Sequence, residues 1–139
     1  MLKIKLLHPD ILSVLASNGH GAKVLIADSN YPFITGTSPA CKRVFLNLSP
    51  GLLTVTDVLK VVKDCIPIET GIVMVPPGGE PQPIHHEFRE LLGPDVKLTA
   101  EKRFEFYREV RSEDTCLVIA TGETRRFANI LLVMGSIKP

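Results

Sequence analysis

An α/β fold with one sheet covered on both faces is predicted from three observations. Short apolar segments such as "KVLIAD", "TGIVMVPP" and "TCLVIATG" are bounded by turn-forming residues, as buried strands are. Between several of them lie segments whose apolar residues recur at helical spacing. The two kinds alternate along most of the chain, the order expected when helices pack on both sides of a sheet.

Taken in order, "HPDILSVLASNG" predicts a helix opening after Pro9, with Ile11, Leu12, Val14 and Leu15 as its apolar stripe. Asn18-Gly19 stops it. "KVLIAD" follows as a buried strand, and "SNYPFITGTSP" as an irregular loop punctuated by Pro32, Gly36 and Pro39. "RVFLNL" is a second strand candidate. "TVTDVLKVVKDCIP" predicts a helix through Val55, Val58, Leu59, Val61 and Val62, capped by Thr54 or Thr56. "TGIVMVPP" is a third strand, closed by its proline pair. Residues 83–92, "PIHHEFRELL", predict a helix with Pro83 in its first turn. "EKRFEFYREV" fits either helix or strand. "TCLVIATG" and "ANILLVMG" are apolar strands around the polar segment "ETRR"; on pattern alone, a hairpin with a solvated tip and a ligand-bearing turn are equally supported.

A chain of 139 residues fits one domain, residues 1–139, with a core large enough to need no staples. A net charge of +1 argues against a nucleic-acid or anionic-membrane partner. No apolar run approaches the roughly 20 residues of a bilayer span. Cys41, Cys65 and Cys116 are odd in number and widely spaced, which indicates neither a disulfide framework nor a zinc site and suits a reducing cytoplasm.

Few residues carry candidate chemistry. In "SNGHGAKVLIAD", His20 stands between two glycines, ahead of a strand that ends on Asp28. A loop histidine is more often solvated than functional, but this placement suits an acid/base at a sheet edge. A strand of six or seven residues spans about 20 Å, so His20 and Asp28 share a site only if the loops fold back or a second subunit supplies one of them. That separation points to an interface. "HHEFRE" lacks the second histidine four residues after the first that a zinc-protease helix needs, and His85 and His86 fit an exposed polar face. "PPGGEPQP" lacks the lysine and hydroxyl of a phosphate-binding loop, and "GHG" fails the dinucleotide pattern.

Three stretches together, "GHGAKVLIADSNYPF", "RFEFYREV" and "ATGETRRFANILLVMG", resemble the ribose pyranase and fucose mutarotase family in order and spacing. The resemblance runs from "LHPDILSVLASNGHG" to "MGSIKP" and is least distinctive over residues 37–97. It implies a three-layer α/β/α fold and a cytoplasmic isomerase that interconverts cyclic forms of a free aldose, L-fucose before D-ribose. It also implies octameric or decameric rings with sites between neighbouring subunits, and no cofactor or metal. Carried over residue by residue, His20 is the acid/base, and Asp28, Arg103, Phe127 and Asn129 bind the sugar. Histidine suits ring opening because its ordinary pKa of about 6.5 lets it give or take a proton near neutrality. Aspartate and asparagine suit sugar hydroxyls.

One departure stands out. Where the family has tyrosine, a small residue and asparagine, this chain has Phe127-Ala128-Asn129, so a site hydroxyl is absent. Tyr31, close after Asp28, is a candidate replacement. The alternative reading is a sugar-binding or sugar-sensing protein that keeps the pocket without the chemistry.

Overall fold

A computed structural model describes residues 1–139. Ten elements follow in chain order. They are α1 (Pro9–Ser17), β1 (Lys23–Ala27), β2 (Lys42–Phe45), α2 (Val55–Val62), β3 (Ile68–Val75), α3 (Pro83–Leu92), β4 (Lys97–Lys102), α4 (Arg103–Val110), β5 (Thr115–Ala120) and β6 (Ile130–Met134). The strands form one sheet in the order β2-β5-β1-β6-β3-β4. β6 is antiparallel to both its neighbours, β1 and β3, while the remaining pairings are parallel.

Period-two alternation sends the sheet's apolar side chains into two layers. Val24, Ile26, Leu117, Ile119, Ile130 and Leu132 meet Ile11 and Leu15 of α1, Val55, Val58, Leu59 and Val62 of α2, and Ile84 and Phe88 of α3. Leu25, Ala27, Val118 and Leu131 point the other way, against Phe106 and Val110 of α4 and against Tyr31 and Cys41. The architecture is therefore α/β/α, with three helices on one face and one on the other. No helix is long and apolar enough to cross a membrane.

Local chemistry sets the helix starts. Pro9 and Pro83 open α1 and α3, where a missing N–H costs nothing. Thr54 rather than Thr56 caps α2: its hydroxyl accepts from the Asp57 N–H, and the Asp57 carboxylate accepts from the Thr54 N–H. The ambiguous "EKRFEFYREV" divides at Lys102, where β4 ends and α4 begins. β4 itself, "KLTAEK", has too little apolar character to read as a strand from sequence. It is an edge strand, held by β3 alone.

The hairpin reading of the last two strands is corrected. β5 and β6 are not paired; β1 lies between them. The linking residues 121–129 cross the end of β1, and Thr121 donates from its N–H and its hydroxyl to the Ala27 carbonyl. Spanning one intervening strand needs only about 10 Å, well within the reach of nine residues. Nor is the whole tip solvated: Thr124 and Arg126 are exposed, but the segment turns inward at Glu123. Glu123 is 1% exposed and accepts from the N–H of Val55 at the start of α2.

Candidate active site

The crossing at residues 121–129 forms one wall of a cleft of about 770 Å³ at the carboxyl ends of β1, β3 and β4. In open α/β sheets, that end is where ligands collect. Asp28, Arg103, Phe127 and Asn129 all line it, with Tyr31, Tyr107 and Arg126. His20 does not.

Asp28 and Asn129 are a buried, reciprocally bonded pair, each 3% exposed. The Asp28 N–H donates to Asn129 Oδ1 at 2.7 Å, and Asn129 Nδ2 donates to Asp28 Oδ2 at 3.1 Å. Asp28 Oδ2 also accepts from the Ala128 N–H, and Oδ1 from the Asn30 N–H. Burial pushes the Asp28 carboxyl up despite these donors, with the nearby Glu123 charge adding to the rise.

Arg103 opens α4 at the cleft mouth. Its guanidinium lies 5.5 Å from the ring centres of Phe104 and Tyr107, and its Nε donates to Tyr107 Oη at 3.2 Å. It has no carboxylate partner, so its charge is available to a ligand. Phe127 has φ 57°, left-handed backbone that costs a non-glycine residue about 1–2 kcal/mol. Its carbonyl accepts from His85 Nε2 at 3.1 Å.

Tyr31 does not replace the missing hydroxyl. It is 4% exposed and donates to the Gly36 carbonyl at 2.8 Å, and burial raises its pKa, so its proton is held.

His20 lies at the other end of β1, in the turn after α1. Gly21 adopts φ 87° there, which explains one of the two flanking glycines. His20 Nε2 pairs with Glu69 Oε2 at 3.0 Å, and both side chains are largely open to solvent, at 62% and 46% exposure. Glu69 stands beside Gly135, where an added Cβ would lie 3.3 Å from the Glu69 Cβ.

The polar-face reading holds for His86 but not for His85, which is 6% exposed. A signal existed: His85 lies next to Ile84 and three residues before Phe88, on the stripe that α3 buries. Glu123 carried no such signal. Burial pushes its carboxyl up, but hydrogen bonds from Arg125 and Val55 and the Arg125 charge outweigh this and hold it below the usual range. Arg125 also reaches Glu87 of α3, so the wall is tied to two helices.

The sequence model of the RbsD / FucU transport protein family matches residues 1–137. Among similar proteins, a fucose mutarotase from Danio rerio is 31% identical over 145 residues, covering 96% of this chain and 91% of its own. A D-ribose pyranase from Variovorax paradoxus is 32% identical over 142 residues, covering 97% and 98%. The fold superposes on Bacillus subtilis RbsD complexed with D-ribose with a TM-score of 0.83 at 26% identity, over 99% of this chain and 100% of that one. With nearly its whole length matched in sequence and in fold, the chain belongs to the RbsD / FucU family.

Proposed function

We propose that the protein interconverts the cyclic forms of a free monosaccharide, with L-fucose as first choice and D-ribose as second. The observation that carries this reading is the buried Asp28–Asn129 pair at the floor of an open cleft, with the unpaired Arg103 at its mouth. Carboxylate, amide and guanidinium groups match the donors and acceptors of a sugar's hydroxyls, and a site bonded to particular hydroxyls rejects sugars that lack them. The resemblance to a fucose mutarotase and a D-ribose pyranase supports the same class.

Ring opening needs a base to take the anomeric O–H proton while an acid protonates the ring oxygen. The bond from the anomeric carbon to that oxygen breaks, and a carbonyl forms. Re-closure on either face of the carbonyl reverses these transfers and exchanges the anomers. His20 supplies the acid/base, paired with Glu69, and a neighbouring subunit's His20 completes each cleft within a homo-oligomeric ring. Asp28, Arg103 and Asn129 hold the hydroxyls, and the Phe127 ring packs on the sugar's apolar face.

A second reading, sugar binding or sensing without catalysis, is favoured by one observation: Phe127 carries no hydroxyl at the cleft wall. Saturation-transfer NMR on the anomeric protons of L-fucose, D-ribose and other free aldoses distinguishes the two. Protein-dependent exchange for one sugar is expected. Binding without exchange for any of them establishes the second reading instead.

A further inference from the structure

His85 does not itself line the cleft, yet one peptide group connects it to Asp28. The Phe127 carbonyl accepts from His85 Nε2, and the N–H of the same peptide plane, that of Ala128, donates to Asp28 Oδ2 at 3.2 Å. In a trans peptide, the C=O and N–H point in opposite directions, so this plane is strung between α3 and the carboxylate. We propose that His85 is a positioning residue for the sugar site, acting through the Phe127–Ala128 peptide on the Asp28 carboxylate and the Phe127 ring.

Three features support this. First, the tautomer is fixed from both sides: His85 Nδ1 accepts from the Gln82 N–H at 3.1 Å, and a carbonyl only accepts, so Nε2 carries the proton. Burial, with the neighbouring His86 acting in the same direction, lowers the ring's pKa and outweighs the Phe127 and Met74 carbonyls, which raise it. Second, Phe127 occupies left-handed backbone, a conformation that persists only where its surroundings over-determine it. The His85 bond on one side and the Asp28 bond on the other do so. Third, aligned hydrogen bonds polarise one another: a donor on the carbonyl makes the Ala128 N–H a better donor to Asp28. The other groups facing Asp28 are the Asn30 N–H, the Asn129 amide, Tyr31 and the Glu123 charge, none of them on α3.

The part concerning sugar rests on the proposed function; the part concerning Asp28 does not. His85→Asn keeps an acceptor for the Gln82 N–H and removes the donor to Phe127. His85→Gln places an amide donor near the Nε2 position. The Asp28 carboxyl is titrated by carbon-13 NMR, assigned against Asp28→Asn, and L-fucose and D-ribose affinities are measured on the same samples. In His85→Asn, Asp28 is expected to become a roughly tenfold weaker acid, with sugar affinity falling, and His85→Gln is expected to restore both. An unchanged Asp28 titration in folded His85→Asn overturns the proposal. If His85→Asn does not fold, His85→Phe, which keeps a buried ring and removes the donor to the Phe127 carbonyl, decides: a weaker Asp28 acid there, with wild-type titration in His85→Gln, supports the relay, and an unchanged Asp28 in folded His85→Phe overturns it. A wild type that binds neither sugar overturns the functional reading, while the titration still decides the role of His85.

Discussion

His20 and Asp28 stand at opposite ends of β1, with the whole of Lys23–Ala27 between them. At one end, His20 faces Glu69; at the other, Asp28 faces Asn129. Eight residues of largely extended chain separate them by about 20 Å, so one chain cannot bring both onto one sugar. A site that uses both takes one from a neighbour. Light scattering at micromolar concentration is expected to give a mass of several times the 15.3 kDa protomer. The protomer mass alone would sink the shared site.

The exposure of His20 sets the second expectation. A side chain with most of its surface free contributes little packing, so His20→Ala should leave thermal stability and assembly near wild type while abolishing anomer exchange. Loss of general acid/base catalysis alone accounts for about 10²–10⁴-fold. Exchange at the wild-type rate would remove His20 from the mechanism.

Asn129 is the opposite case. Truncating it to alanine orphans the Asp28 N–H inside the protein, while Asp28 Oδ2 loses one donor but keeps the Ala128 N–H. An orphan of this kind costs about 1–3 kcal/mol, so urea unfolding of Asn129→Ala should show a loss in that range. Sugar affinity should fall with it. A change under 0.5 kcal/mol, about what an ordinary surface substitution gives, would show that the pair is not structural.

Two buried groups lower stability on the acid side, while Asp28, whose carboxyl burial pushes up, opposes them at the lowest pH because it takes up its proton first in the folded chain. His85 has its pKa lowered by burial, from an ordinary value near 6.5. The unfolded chain therefore binds a proton there that the folded one refuses, and stability falls as pH drops below about 6.5. Glu123, held below its ordinary 4.5, adds a second loss as pH falls further. Urea midpoints measured from pH 7 to pH 5 should decline, and His85→Asn should remove most of that decline. A flat wild-type profile between pH 7 and pH 5 would contradict this.

Much of this arrangement was legible in the sequence because it rests on local patterns. Buried strands such as β1 and β5 show as unbroken apolar runs, and α2 shows both its stripe and its cap. What stayed hidden depends on contacts far apart in the chain. The insertion of β1 between β5 and β6 is decided by pairing over about a hundred residues, while local pattern suggests the simpler hairpin. β4 escaped because in the edge strand "KLTAEK" only Leu98 and Ala100 alternate with polar residues, a signal too short and too weakly apolar to stand out. His85 and Glu123 escaped because polar residues are ordinarily exposed, and each is buried only by a partner supplied by another element.

The last prediction concerns Phe127, whose ring lines the cleft where the family resemblance implies a tyrosine. The two side chains differ by one hydroxyl, so Phe127→Tyr keeps the ring's shape and changes the site's proton inventory. The substitution also leaves the backbone clamps at His85 and Asp28 in place, because both act on the main chain. With the hydroxyl absent and the Tyr31 proton held by Gly36, the wild type is expected to exchange anomers weakly. A restored hydroxyl contributes up to about 10²–10⁴-fold if it takes part in proton transfer. Phe127→Tyr should therefore raise the exchange rate while changing sugar affinity little, since the ring already packs against the sugar. Measuring rate and affinity together in both proteins separates the outcomes. A fast wild type slowed by the tyrosine would show that this branch moves its proton by another route. Retained affinity with no exchange in either protein would establish the binding-protein reading.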